Sequence, residues 1–152
     1  MRTLLACLAF SALAASEPQN SSNLRARYGQ PDIERFAIRP EITVTAQYGL
    51  DGKACILLIE PRQAFVHSFY EQRQPTISKD VALELLDEAV PPATRGKLLL
   101  GGATVQTGCS AFESDSYENM KIGFVHSFCI KPGGVAKVQV NFKRTECDSG
   151  SK

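Results

Sequence analysis

No charge of one sign predominates in this 152-residue chain, and no apolar run is long enough to cross a membrane as a helix. It has no C-x-x-C pair, no H-x-x-x-H or H-E-x-x-H, and no dinucleotide fingerprint. Each absence removes a class of chemistry. Without C-x-x-C there is no signal for a zinc knuckle or a thioredoxin-type redox site. The Gly96-Lys97 pair does not make a phosphate loop, because Pro91 stands where that loop needs its first glycine. Gly108-Cys109-Ser110-Ala111-Phe112 lacks the second glycine of a nucleophile elbow.

What is present begins with MRTLLACLAFSALAASEP. Arg2 supplies a positive start, Leu4–Leu13 a short apolar run, and both Ala12-Leu13-Ala14 and Ala14-Ala15-Ser16 offer a small-residue cleavage site. Residues 1–16 therefore read as a secretory signal peptide. Leu4-Leu5-Ala6-Cys7 has the outline of a lipobox, but too few apolar residues precede Cys7 to form the core of a signal segment. Removing Arg2 takes Lys+Arg from 17 to 16, against 16 Asp+Glu. A balanced surface gives no electrostatic reason to bind nucleic acid or an anionic membrane. The expected location is exported, either periplasmic or secreted. The expected partner is a protein or envelope component, with no nucleic acid, no cofactor and no transmembrane segment after signal removal.

The mature chain has a length suited to one core. Residues 17–147 read as a single α+β domain and 148–152 as a disordered tail. Ser21-Ser22-Asn23 precede a short helix with Leu24 and Tyr28 on one face, ended by Gly29 and Pro31. Ile33–Ile38 makes a first short strand. Ile42, Val44, Ala46 and Tyr48 alternate with Thr43, Thr45 and Gln47, the pattern of a strand with one dry face. A turn at Asp51-Gly52 leads to an interior strand at Lys53–Glu60. Ser78 opens a second helix whose apolar face is Val81, Ala82, Leu85, Leu86, Ala89 and Val90, stopped by Pro91-Pro92. Further strands are expected in Gly96–Gly108, at Met120–Ile130 and from Val135 to Phe142, with a polar loop at Ser110–Asn119. The expected fold is α+β: an antiparallel sheet of about five strands with two helices on one face, disulfide-bonded.

With Cys7 removed, Cys55, Cys109, Cys129 and Cys147 remain, an even number that suggests two disulfides. A hairpin pairing Lys131 with Val135 would place Cys147 opposite Asn119 and Cys129 opposite Lys137. That register predicts Cys109–Cys147 and Cys55–Cys129.

Both histidines lie in one repeated pentapeptide, Phe65-Val66-His67-Ser68-Phe69 and Phe124-Val125-His126-Ser127-Phe128. Paired in space, His67 and His126 could hold a metal with Glu113, Asp115 or Glu118 and support a hydrolase. Strand alternation instead puts each histidine on the face of its two phenylalanines, where packed, hydrogen-bonded histidines are the commoner case. No catalytic residue is assigned. The candidate binding face is Arg27, Arg62 and Arg95 with the loop residues Tyr117, Glu118 and Asn119, since loops on a rigid scaffold often carry binding. The competing account of the arginines is surface charge and stem packing.

The segments RYGQPDIERFAIRPEITVTAQYGLDGKACILLIEP, VPPATRG and TGC followed by SYEN together resemble a family of small exported bacterial proteins of uncharacterised function. The resemblance runs from about Leu24 to Cys147, and it implies no activity and no catalytic residues. At the level of fold alone, the helix, Gly-x-Pro stop and hairpin are also similar to helix-on-sheet lipoproteins of outer-membrane assembly and to secreted inhibitors.

Overall fold

A computed structural model describes residues 21–62, 75–128 and 133–148. The signal segment, His67, Cys129 and residues 149–152 lie outside the described residues, so the expectations placed on them do too. The elements are α1 (Ser21–Tyr28), β1 (Ile33–Arg39), β2 (Ile42–Tyr48), β3 (Ala54–Pro61), α2 (Lys79–Ala89), α3 (Pro92–Arg95), β4 (Leu98–Thr107), β5 (Ser110–Tyr117), β6 (Met120–Ser127), β7 (Gly134–Phe142) and α4 (Thr145–Asp148). The chain divides after Gln30. Helix α1 belongs to the N-terminal unit, where the Gly29 N–H donates to the Arg25 carbonyl at 2.9 Å.

All seven strands form one sheet in the order β1-β2-β3-β7-β6-β5-β4, with every neighbouring pair antiparallel. Two meanders, β1–β3 and β4–β7, therefore meet where β3 pairs with β7. The five-strand, two-helix expectation is corrected to seven strands with one multi-turn helix on them. α2 packs on β7 and β3, while α3 and α4 are single turns. Most of the strand excess is β5, expected as a loop because of its serines and acids. Strands β4 and β6 on either side supply its ladder of hydrogen bonds. A strand's fate depends on the surfaces it meets more than on backbone preference.

The alternation in β2 builds the dry face as expected. The registers align Val44, Ile59, Val138 and Phe124 in one cross-strand row, and Ala46, Leu57, Val140 and Ile122 in the next. Ile59, Val138 and Val140 are wholly buried there. The α2 side chains Ala82, Leu85 and Leu86 close over them. Each such burial stabilises by about 1.5–3 kcal/mol for a large aliphatic group. The Ser78 hydroxyl caps α2 by accepting from the Val81 N–H at 3.3 Å, and Asp80 sits in the first turn near the positive end of the dipole. On the opposite face the row Thr45, Leu58, Gln139, Gly123 and Ser114 is mostly polar.

The expected β6–β7 register is corrected as well. Lys137 pairs with Val125 rather than Cys129, and Ser127 with Gly134, with a bulge beside His126. The disulfide pairing changes with it. Cys55 is bonded to Cys147 across 92 positions. Cys109 is also disulfide-bonded. The physical reason is strand order. The expectation placed the Cys147 tail beside β6, but β7 has β3 on its other side. Asn141 pairs with Ile56, so the chain leaving β7 reaches Cys55 one residue further on.

Candidate functional site

The VPPATRG segment folds into a corner that uses its own polar groups. After α2, Pro92 starts α3 and Gly96 leaves it with φ +76° and ψ −167°, a region essentially restricted to glycine. A Cβ at Gly96 would also lie 2.8 Å from the Glu118 Cβ. Arg95 is buried. Its Nε and Nη2 donate to the Val90 carbonyl at 3.0 and 2.7 Å, and Nη2 also pairs with Asp87. The β5–β6 turn closes on this corner from the other side. The Asn119 side-chain amide donates to the Thr94 carbonyl at 2.9 Å, and the Glu118 carboxylate accepts from the Lys97 N–H at 2.9 Å. Tyr117 packs against the core.

Of the six residues expected to bind, Arg95, Tyr117, Glu118 and Asn119 thus come together. Arg62 follows β3 at the opposite end of the sheet, where Pro61 pairs with Ile42. Arg27 lies in the N-terminal unit, over the Tyr28 ring at 5.3 Å. Glu118 and Asn119 hold the α3 corner to the β5–β6 turn, while Arg95 ties α3 to the end of α2. Arg95→Ala is expected to cost about 2–3 kcal/mol, because it strips the buried Val90 carbonyl of a charged donor. Arg95→Lys should recover little, since an ammonium cannot reproduce the two-pronged contact. Urea unfolding of the two variants checks both statements; a loss below about 0.5 kcal/mol would mark Arg95 as a surface group instead.

His126 is buried beside Phe124, with ring centroids 6.3 Å apart. Its Nε2 lies 3.1 Å from a Glu113 carboxylate oxygen, and Lys79 of α2 reaches the same oxygen at 3.8 Å. Asp115 and Glu118 do not join them. Asp115 accepts from the Gly102 N–H at 2.9 Å, and Glu118 belongs to the α3 corner. Among the described residues no group of three His, Cys, Asp or Glu side chains could hold a metal ion. The His126–Glu113–Lys79 cluster joins the N-terminus of α2 to the sheet, and every charge in it has a partner.

Strand β4 is different. Among the described residues it occupies one edge of the sheet, paired only with β5, and every one of its residues is exposed. Leu98, Leu99, Leu100 and Val105 are 55–64% exposed, yet Leu98–Thr107 carries no charged side chain. The other edge, β1, is guarded. Arg35 reaches Thr45 and Glu60, and Arg39 reaches Glu84 of α2. Edge strands usually carry charge, proline or bulges that discourage pairing. β4 has only the bulge. Its register shifts around Gly101-Gly102, where Gly102 has φ +71° and is held by Asp115. Beyond it, Ala103–Thr107 pairs regularly with Ser110–Ser114. Sequence reading found this strand but not its place at the edge; the uncharged run LLLGGATVQT was the available signal.

No helix among the described residues is long and apolar enough to cross a membrane. No protein-family model, no curated protein and no solved structure matches the chain.

Proposed function

We propose that this chain is an exported, non-enzymatic binding domain that receives an extended protein segment along the outer edge of β4. The observation that carries the reading is the uncharged, fully exposed strand with a regular five-residue arm. Such an edge offers backbone donors and acceptors to a new strand, and the alternating side chains supply selectivity. The apparent signal peptide and the Cys55–Cys147 bond support export. The segments that carry the resemblance to small exported bacterial proteins build parts of the scaffold. VPPATRG builds the α3 corner, and the Tyr48–Cys55 stretch builds the β2–β3 turn, where the Gly49 N–H donates to the Lys53 carbonyl at 2.9 Å. Both turns belong to the scaffold that presents β4.

The test is to pan a display library of extended peptides against the mature chain. Bound peptides are expected to slow amide exchange at Ala103–Thr107. Val105→Lys should weaken their binding about tenfold or more, because it puts a charge on the pairing edge. Its thermal midpoint should move by less than about 2 °C, as expected for an exposed site. Binding that ignores Val105→Lys, or that protects amides elsewhere, would place the receiving surface off β4.

A further inference from the structure

The strand that β4 would receive can be narrowed to one. We propose that it is β4 of a second copy, paired antiparallel about a two-fold axis perpendicular to the sheet. This rests on the reading of β4 as a strand-receiving edge.

The argument is self-complementarity. The regular arm Ala103–Thr107 is centred on Val105. Setting Val105 opposite its own symmetry mate places Ala103 opposite Thr107 and Thr104 opposite Gln106, in both directions. Thr104 lies in the row of Glu113 and Phe124, on the face that α2 covers further along the sheet. There the dyad would bring hydroxyls against amides. Val105 lies on the other face, in register with Phe112, which is itself exposed to 38%. The dyad would then run Phe112, Val105, Val105 and Phe112 as a continuous apolar ladder across four strands. β-Branched and aromatic cross-strand pairs are among the more stabilising ones. In this register the polar Thr104 meets the polar Gln106 and Val105 meets Val105, while the small Ala103 faces Thr107.

Charge does not oppose it. No residue of β4 is charged, so no like charges face each other across the dyad, and the mature chain is electrically balanced. An antiparallel pairing continues the pattern of all six strand pairs in the sheet. A two-fold contact also closes on itself, so it uses up the unguarded edge without propagating. The exposed edges of the resulting sheet would be the two copies of β1, which carry charge. The paired arm is short, which makes this a small interface that should dissociate on dilution.

The experiment uses the mature, disulfide-intact chain in sedimentation equilibrium over a dilution series, with three variants. The wild type is expected to show a concentration-dependent dimer. Val105→Lys should raise its dissociation constant about tenfold or more, since two like charges would meet at the axis. Val105→Cys should form a covalent dimer under mild oxidation, because directly opposed Cβ atoms lie about 4.5–5.5 Å apart. Thr45→Cys, on the same face but on β2, should not. A dimer indifferent to Val105→Lys would overturn the proposal by placing the contact elsewhere. A monomer at every concentration, with no Val105→Cys cross-link, would overturn it as well. In that case peptide-dependent protection of Ala103–Thr107 would leave the edge-binding reading standing, and its absence would remove both.

Discussion

Replacing Cys55 and Cys147 together by serine is expected to lower stability by about 4–5 kcal/mol in the chain-entropy account of a cross-link that closes a loop this long. The bond spans 92 positions, so it constrains most of the unfolded domain. Folded domains of ordinary size are stable by only about 5–15 kcal/mol, and the variant should sit close to its unfolding threshold. Locally the loss is softened. Arg144 donates to the Ala54 carbonyl at 3.0 Å and pairs with Asp51, which keeps α4 near the β2–β3 turn without the covalent link. The stability change therefore comes mainly from the unfolded chain. Urea unfolding of the double variant, with the Cys109 bond intact, measures it. A loss under about 1 kcal/mol would show that the unfolded chain retains contacts between these ends. Peptide mapping without reductant should yield Cys55 joined to Cys147.

Leu85→Ala is the second large effect. Leu85 is 2% exposed and lies in the layer between α2 and the fully buried side chains of Ile59, Val138 and Val140. The expected cost is about 3–4 kcal/mol, the transfer of the lost atoms plus the cavity they leave. Within its unit α2 is the only multi-turn helix among the described residues, so no neighbouring helix can slide in to fill the space. Leu83 is the control. It sits on the same helix at 38% exposure, and Leu83→Ala should change stability by less than about 0.5 kcal/mol. Chemical unfolding of both variants reads the difference. Equal losses would mean that α2 presents a different face to the sheet.

The contrast between those two leucines was legible in the sequence, because a helical face is written in residues three and four apart. The alternation in β2 was legible because a strand turns every second residue to the same face, and the Ser78 cap because a hydroxyl there meets a free helical N–H. β5 was not. Its Ser114, Asp115 and Ser116 read as loop, and only the ladders on both sides make them a strand. The expected β6–β7 register set Lys137 four positions too far along β6, and the bulge beside His126 shifts the pairing by only one more. The disulfide pairing needed the neighbour of β7, and nothing near Cys147 indicates that β3 lies there. At the candidate site, Arg95 was singled out by its oddity but not by its burial, which depends on a carbonyl freed by the end of α2. His126 was correctly placed on the face of Phe124, and its link to Glu113 and Lys79 became visible only with β5 and α2 in position. The uncharged run of β4 was in plain view; its edge position is a property of strand order.

That order has a bearing on how the protein is made. β7 lies between β3 and β6, and it carries Val135, Val138 and Val140 into the core. It is also the last of the seven described strands in sequence. A ribosome or an export channel that delivers the chain N-terminus first supplies the central strand after all the others. Until then the β1–β3 meander and β4–β6 have no shared partner, and α2 lacks the strand it rests on most. The sheet is completed only when β7 is available, and the contacts that complete it join distant parts of the sequence, which slows folding. The core layer between α2 and the sheet therefore waits for β7, whatever follows it in the chain.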